Sequence, residues 1–292
     1  MSETSRISGH THLITLIGKP TTHSLSPATH NLSFGQAGQD SVYLCFDIEK
    51  EEDLPAVISA MKVMEGWDGS NVTMPYKQAV IPLLDEMDEA ADLMGAVNVI
   101  RCKDGKTKGF NSDGAGFWRN VKKAGVELEG KKLTLVGCGG AGSAIFVQAA
   151  FEGIAQIDVF EMEGTFGEQK AKDIAPKLEE LKGTRVVLYR TGDDEELKAS
   201  IASSDILVNS TPVGMGEGNA DTPVPAEFIK EGMVVADTVY FPQITQLIKD
   251  AEAKGCTTVP GFGMMIEQAA IGEEIWYGVE MDADMIARKV YK

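Results

Sequence analysis

Three stretches of this chain hold residues whose types and spacing fit them for chemistry. The first is Val136-Gly137-Cys138-Gly139-Gly140-Ala141-Gly142, which follows the apolar run Lys132-Leu133-Thr134-Leu135 and precedes a helical-looking stretch, 143–150. In a strand–turn–helix setting, such glycines permit a tight turn and close backbone approach. The helix N-terminus then offers amide N–H groups and a positive dipole end to a pyrophosphate. Gly137, Gly139, Gly140, Ala141 and Gly142 are therefore candidate cofactor-binding residues, although a ligand-free βα turn would carry the same glycines. After the next apolar run come Glu161, Met162 and Glu163, with Glu161 twenty-four positions beyond Gly137. A carboxylate at that place accepts both hydroxyls of an adenosine ribose and repels a 2′-phosphate. No Arg or Lys follows until Lys170. This favours NAD and leaves NADP open; plain surface carboxylates are the competing reading.

The second stretch is Asn71-Val72-Thr73-Met74-Pro75-Tyr76-Lys77. Oxidising a secondary alcohol needs a group to take the hydroxyl proton as hydride leaves, and lysine can do so directly or through a carboxylate or water. Asp113, in Gly109-Phe110-Asn111-Ser112-Asp113-Gly114, is a candidate partner, with a helix N-cap as its structural alternative. A lysine after a turn is also commonly just solvated. The third stretch, Gly18 to Pro27, contains His23-Ser24-Leu25-Ser26-Pro27. In extended backbone Ser24 and Ser26 share a side, and two hydroxyl donors at a helix start suit a small carboxylate. Otherwise Ser26 is merely the cap.

Composition narrows the partners. The 292 residues are 43% hydrophobic and 24% charged, with a formal net charge of −17. That length allows two domains, and the charge argues against nucleic acid or an anionic membrane surface. No run approaches a membrane span, and residues 1–12 lack the apolar core of a signal peptide. Cys45, Cys102, Cys138 and Cys256 form no CxxC pair and read as reduced, mostly buried thiols of a cytoplasmic protein. His10, His12, His23 and His30 have no metal-ligand spacing, so no metal is expected; His10 and His12 read as tail residues.

The elements that must position these side chains follow two rhythms. Strands are expected at 13–17, 42–48, 67–72 and 96–101. Helices are expected from Ser26 to Gly38, over 51–64, briefly after Pro75, and over 85–94, with Lys103-Asp104-Gly105-Lys106 as a hairpin turn. From residue 131 the βα alternation is regular, with strands at 132–136, 156–160, 185–189, 205–208, 233–236 and 257–259. That is the pattern of a parallel, doubly wound sheet. Helical segments at 113–124 and 263–276 border this block.

In this order the stretches resemble the shikimate and quinate dehydrogenase family, from about residue 16 to 276. The likeness is carried by 23–27 and 71–77, and by Gly-Ala-Val-Asn at 95–98 and Asn-Ser-Asp-Gly at 111–114. It continues in Asn-Ser-Thr-Pro-Val-Gly-Met at 209–215, Asp-Thr-Val-Tyr at 237–240 and Gly-Phe-Gly-Met-Met-Ile-Glu-Gln-Ala at 261–269. The resemblance implies an α/β chain of two domains. One is an N-terminal α/β substrate-binding domain (1–113, completed by 263–292). The other is a Rossmann-type, doubly wound parallel-sheet dinucleotide domain (114–262). It implies reversible NAD(P)-linked oxidation of the ring 3-hydroxyl of shikimate or quinate, with Lys77 and Asp113 as the catalytic pair. Ser24 and Ser26 would hold the substrate carboxylate. Thr73, Asn98, Asp113 and Gln268 would bind ring hydroxyls, Tyr240 would close the pocket, and Thr238, Gly261 and Met264 would flank the nicotinamide.

NADP-specific members usually carry an Asn-Arg-Ser/Thr-type segment where this chain has Glu161-Met162-Glu163, which leans the expectation toward NAD. Members that prefer quinate often replace one serine by threonine; two serines fit shikimate without excluding quinate. A monomer or homodimer is expected. The competing functions are a same-plan dehydrogenase acting on an aminoshikimate or a folate, and a catalytically silent NAD-responsive sensor. A folate site would replace the polar ring-binding set by aromatic surfaces, and a silent protein would be expected to lack Lys77 or Asp113.

Overall fold

The computed structural model describes residues 7–291, so the first part of the polar N-terminal stretch, and the signal-peptide reading with it, lies outside the described residues. The chain divides into two compact units, Met1–Ser112 with Gln268–Lys292, and Asp113–Glu267. The junctions expected from sequence lay at 113/114 and 262/263. Each unit is built on one six-stranded sheet.

The first unit holds β1 (His12–Gly18), β2 (Ser41–Asp47), β3 (Trp67–Val72), β4 (Glu86–Met87), β5 (Val99–Lys103) and β6 (Lys106–Phe110). Their order is β2-β1-β3-β5-β6-β4; β1 is parallel to β2 and β3, and β5 is antiparallel to β3 and β6. Side chains of β1 alternate between two cores, as a strand buried on both faces must. Ile17 packs with Leu54, Ile58, Val72 and Ile100 on one face; Ile14 and Leu16 pack with Phe34, Tyr43, Val99 and Trp276 on the other.

Several local expectations are corrected. No helix follows Pro75: residues 74–80 form turns and Ile81–Leu83 a 3-10 turn, because Pro82 has no N–H to extend an α-helical ladder. The helix expected over 85–94 begins only at Glu89, capped by the Asp88 carboxylate accepting from Ala90 N at 3.2 Å. Asp85 is held instead by Thr107, whose backbone N–H donates to it at 2.7 Å, so Glu86–Met87 joins the sheet as β4. The segment 51–64 is a 3-10 turn, Glu51–Asp53, followed by helix Leu54–Val63. The strand expected at 96–101 runs Val99–Lys103. His12 is no tail residue: it opens β1, and its Nδ1 lies 2.7 Å from Asp68. Of the four thiols only Cys138 is buried; Cys45, Cys102 and Cys256 are half-buried and all four are free.

The second unit contains β7 (Lys132–Val136), β8 (Gln156–Glu161), β9 (Arg185–Arg190), β10 (Ile206–Asn209), β11 (Val234–Asp237) and β12 (Thr257–Val259). All pairings are parallel and the order is β12-β11-β10-β7-β8-β9. This is the doubly wound arrangement, with its topological switch between β7 and β10, where ligands bind at the carboxyl ends of the strands. Val136, Leu207 and Val235 pack one face against Leu197, Ile201, Leu247 and Ala251. Among the described residues no helix is long and apolar enough to cross a membrane.

One buried polar pair holds the second half of helix Phe262–Tyr277 within the first unit. His30 and Glu273 are 1% and 0% exposed, with His30 Nδ1 at 2.8 Å from Glu273, whose other oxygen accepts from Ser33 Oγ at 2.6 Å. Removing one member of such a pair strands the other's polar groups in the core. Glu273→Ala should therefore lower unfolding free energy by about 3 kcal/mol. A loss below about 1 kcal/mol in urea titration, the level of an exposed pair, would contradict this account.

Candidate active site

In the first unit the sequence-predicted residues gather at the carboxyl ends of β1 and β3. Thr73 N donates to Ile17 O at 2.9 Å and Lys19 N to Met74 O at 3.0 Å, joining the two strand ends. From there the chain turns over Pro75 into Tyr76, which is buried and donates its hydroxyl to Ile48 O at 2.7 Å. Lys77, half-buried, follows; its carbonyl accepts from Val97 N at 2.8 Å, which sets it beside Asn98.

Asn98 is 4% exposed and fixed by its neighbours. Its Oδ1 accepts from Ser112 N at 2.8 Å, its Nδ2 donates to Ser112 Oγ at 3.1 Å, and its backbone carbonyl accepts from Asn71 Nδ2 at 3.0 Å. Ser112 Oγ also reaches Gln268 Oε1 at 3.5 Å, so Asn98 and Gln268 meet through one serine. Sequence reasoning passed over Ser112, although it lay inside a quoted motif, because the neighbouring carboxylate drew the chemistry. Tyr43 was missed as well; its hydroxyl donates to Asn71 Oδ1 at 2.6 Å.

Ser24 and Ser26 are half-buried at the start of helix Ser26–Ala37. Ser26 is not the cap expected from sequence but the first helical residue. Leu25 stands at the cap position, with no side-chain cap bond and no acidic residue in the first turn. Ser24 Oγ accepts from Ser26 N at 3.1 Å. Ser24 thus serves the Ser26 N–H and Pro27 has none, so what this helix start offers an anion is its positive dipole end together with the two serine hydroxyls. Asp113 is likewise no cap: it lies in the first turn of helix Ser112–Lys123 and belongs to the second unit, as does Tyr240, which is 48% exposed after β11.

In the second unit the glycine loop closes β7 and opens helix Gly140–Phe151. Gly137 has φ +90°, and a Cβ there would lie 2.7 Å from Thr211; a Cβ on Gly142 would lie 2.5 Å from Gly137 O and 2.6 Å from Ser210 Oγ. Gly139 and Gly140 instead face open space, with nothing within 4 Å of a built Cβ. Two glycines forced by packing and two left bare at a helix start, with Ala141 between Gly140 and Gly142, fit a phosphate-bearing dinucleotide. Ser210, another residue missed from sequence, donates to Gly137 O at 2.6 Å and stabilises the turn. Burial pushes the Cys138 thiol within this loop up to about 12, so it stays protonated.

Glu161 turns toward the same loop: Oε2 accepts from Cys138 N at 2.5 Å and Oε1 from Met162 N at 2.9 Å. Met162 is exposed. A small cavity beside them is lined by Glu161, Glu163, Glu168, Lys172, Tyr189 and Arg190. Arg190 is a cation that the local sequence did not reveal. The register of β8 on β9 pairs Glu161 with Arg190, and the guanidinium is bound by Glu163. Lys172 is paired with Glu168 at 2.6 Å.

Thr238, Gly261 and Met264 also meet. A Cβ on Gly261 would lie 2.6 Å from the Thr238 carbonyl, and Met264 N donates to Gly261 O at 3.1 Å. Asp237 organises this corner, accepting from Val239 N and Asn209 Nδ2 at 2.9 Å and from Thr245 Oγ1 at 2.7 Å. Burial raises its carboxyl above the ordinary range despite these donors. Among the described residues no group of three or more His, Cys, Asp and Glu is placed to hold a metal ion.

Comparison with known proteins bears on both units. A family model described as the shikimate dehydrogenase substrate binding domain matches residues 16–100. A curated protein of Listeria monocytogenes, named shikimate dehydrogenase (NADP(+)), is 40% identical over 286 residues, covering 97% of each chain. A solved structure of shikimate 5-dehydrogenase from the same species, in complex with shikimate and NAD, superposes with a TM-score of 0.93 at 39% identity, covering 98% of each chain. A ligand-free 5-ketofructose reductase of a Gluconobacter species gives a TM-score of 0.86 at 32% identity, covering 97% of this chain and 99% of that one.

The two kinds of glycine should separate on substitution. Gly142→Ala forces a methyl against backbone and should destabilise the fold measurably. Gly139→Ala should leave the thermal midpoint near the parent's while weakening dinucleotide binding at least about tenfold, because the methyl occupies the open cradle. Equal dinucleotide affinity in Gly139→Ala, measured by calorimetry, would remove the loop from the cofactor site.

Proposed function

The chain belongs to the shikimate dehydrogenase family, and we propose that it catalyses reversible, NAD(P)-linked oxidation of the ring 3-hydroxyl of shikimate, accepting quinate as well. The observation that carries this reading is the gathering of Lys77, Asn98, Ser112 and Gln268 about one strand end of the first unit.

The substrate is a ring with a carboxylate and several hydroxyls, and the residue types divide accordingly. Ser24 and Ser26 donate to the carboxylate, helped by the dipole of the helix they begin. Thr73, Asn98, Asp113 and Gln268 are neutral or acceptor groups suited to ring hydroxyls, and Tyr240 covers the pocket. Bound NAD(P), with its pyrophosphate on the glycine loop and its nicotinamide near Thr238, Gly261 and Met264, supplies the hydride acceptor. Lys77, assisted by Asp113, takes the 3-hydroxyl proton as the C3–H bond breaks and the C3=O bond forms; in reduction it returns that proton to the oxygen.

NAD is read as the preferred dinucleotide. Glu161 and Glu163 supply negative charge where a 2′-phosphate would need a cation, and the nearby cations Arg190 and Lys172 are already engaged by Glu163 and Glu168. The four free thiols support a reducing, cytoplasmic setting.

Purified protein should form reduced dinucleotide when given shikimate, and more slowly or equally with quinate. Turnover of 5-ketofructose but of neither acid would displace the carboxylate-binding assignment. Lys77→Ala should lower kcat about a hundredfold with a small change in KM, as for loss of a positioned proton-transfer group; an unchanged kcat would remove Lys77 from the chemistry. Glu163→Gln should raise kcat/KM for NADP relative to NAD, because it frees Arg190. An unaltered ratio would place this cavity outside the ribose site.

A further inference from the structure

The hairpin of β5 and β6 concentrates positive charge that the candidate site does not use. Asp104 and Gly105, at φ +52° and +72°, make the two-residue turn between the strands, and such a turn locks the register. Arg101 therefore stands directly opposite Lys108, and Lys103 opposite Lys106. Strand alternation puts all four on one face. Val99 and Phe110, in the same alternating set, pack with Tyr43 and Trp276, whereas Ile100 and Cys102 pack with Met61 on the other side of the sheet.

Like charges opposite one another in a ladder repel, and this chain supplies nothing to offset that repulsion. Among the described residues none of the four cations has an ion-pair partner. What two of them have is an aromatic ring. Arg101 Cζ and Lys108 Nζ each lie 5.6 Å from the centre of the Phe110 ring, which orients both charges without neutralising either. Of the neighbouring carboxylates, Asp68 is engaged by His12 at 2.7 Å, and Asp85 is held by Thr107 and Lys62. Asp104 sits in the turn itself. In a chain of net charge −17, two unpaired cation pairs stacked in register call for an anion from outside.

The spacing limits what that anion is. Side chains opposite one another begin about 5 Å apart, and neighbours on one strand about 7 Å apart. A field of that size matches two adjoining phosphate groups. Arginine meets phosphate oxygens with a planar fork, and lysine with a mobile point charge. An extended polyanion fits poorly, because beyond the patch it would run along an acidic protein. Arg101 and Lys103 also line a cavity of about 530 Å³ with Trp67, Asp68, Trp276 and Tyr277, which leaves open space beside them. Arg101 and Lys103 lie three and five residues beyond Asn98, about 10 and 17 Å along an extended strand. We propose that the cationic face of this hairpin binds a small phosphate-bearing polyanion, of the diphosphate class, through Arg101, Lys103, Lys106 and Lys108, at a place apart from the candidate active site.

The test is calorimetric titration of the full chain with inorganic pyrophosphate at low salt, with oxidised dinucleotide kept saturating so that the glycine loop is occupied. Arg101→Gln combined with Lys108→Gln should weaken pyrophosphate binding at least about tenfold. Lys177→Gln combined with Lys249→Gln removes the same charge from exposed positions in the second unit and should change affinity less than about twofold. Thermal melting gives a second readout. Without pyrophosphate the hairpin variant should unfold at the parent's temperature or above it, because a like-charge pair is gone. With pyrophosphate, only the parent and the control variant should be stabilised. Equal weakening in the two variants, tighter binding of citrate than of pyrophosphate, or no pyrophosphate binding by the parent would overturn the proposal. If the hairpin variant fails to fold, Lys103→Gln combined with Lys106→Gln removes the pair beside the turn and should give the same loss; an unchanged affinity there would count against the site.

Discussion

The end of β3 is gripped from both sides by backbone hydrogen bonds, and the candidate site depends on that grip. On one side Thr73 bonds the end of β1; on the other Val72 N donates to Asn98 O at 2.9 Å and Val97 N to Lys77 O at 2.8 Å. A lysine carried on a free loop would sample many positions and lose proton-transfer efficiency to entropy. Here the loop bearing Lys77 is closed at its base by the sheet and at its apex by the segment leading into β5, which carries Val97 and Asn98. The hydrophobic cores on the two faces of β1 make that sheet end rigid.

Each unit solves its part of the task with its own means. The first relies on neutral amides and hydroxyls that hold one another, which suits a polyol because every donor has a fixed direction. The second relies on backbone: glycines where packing forbids a side chain, and glycines where a ligand would otherwise meet one. Asp237 plays a matching part, since one buried carboxylate organises the corner beside Thr238 by accepting from three donors, Val239 N, Asn209 Nδ2 and Thr245 Oγ1.

Much of this was legible in the sequence where one physical cause dominated. The parallel strands of the second unit were read almost to the residue because continuous apolar runs alternate with helices there; β7 and β12 match in full. The glycine loop was placed between β7 and its helix, and Glu161 at the end of β8, because the signals that mark a strand–turn–helix are local. Errors came where long-range contacts decided. Asp85 looked helical until Thr107 held it to the sheet, and Ser26 looked like a cap although Ser24 serves its N–H. His12 looked like tail because its partner Asp68 lies far along the chain. Arg190 and Tyr43 were invisible for the same reason: only strand register brings Arg190 to Glu161, and only the packing of Tyr43 on His30 aims its hydroxyl at Asn71.

The most direct test of the account is a crystal structure of the protein with shikimate and oxidised dinucleotide bound. The account predicts the carboxylate on the hydroxyls of Ser24 and Ser26, and the 3-hydroxyl within hydrogen-bond reach of Lys77 Nζ and the Asp113 carboxylate. A ring bound in the opposite sense, with its carboxylate at Lys77, would contradict it.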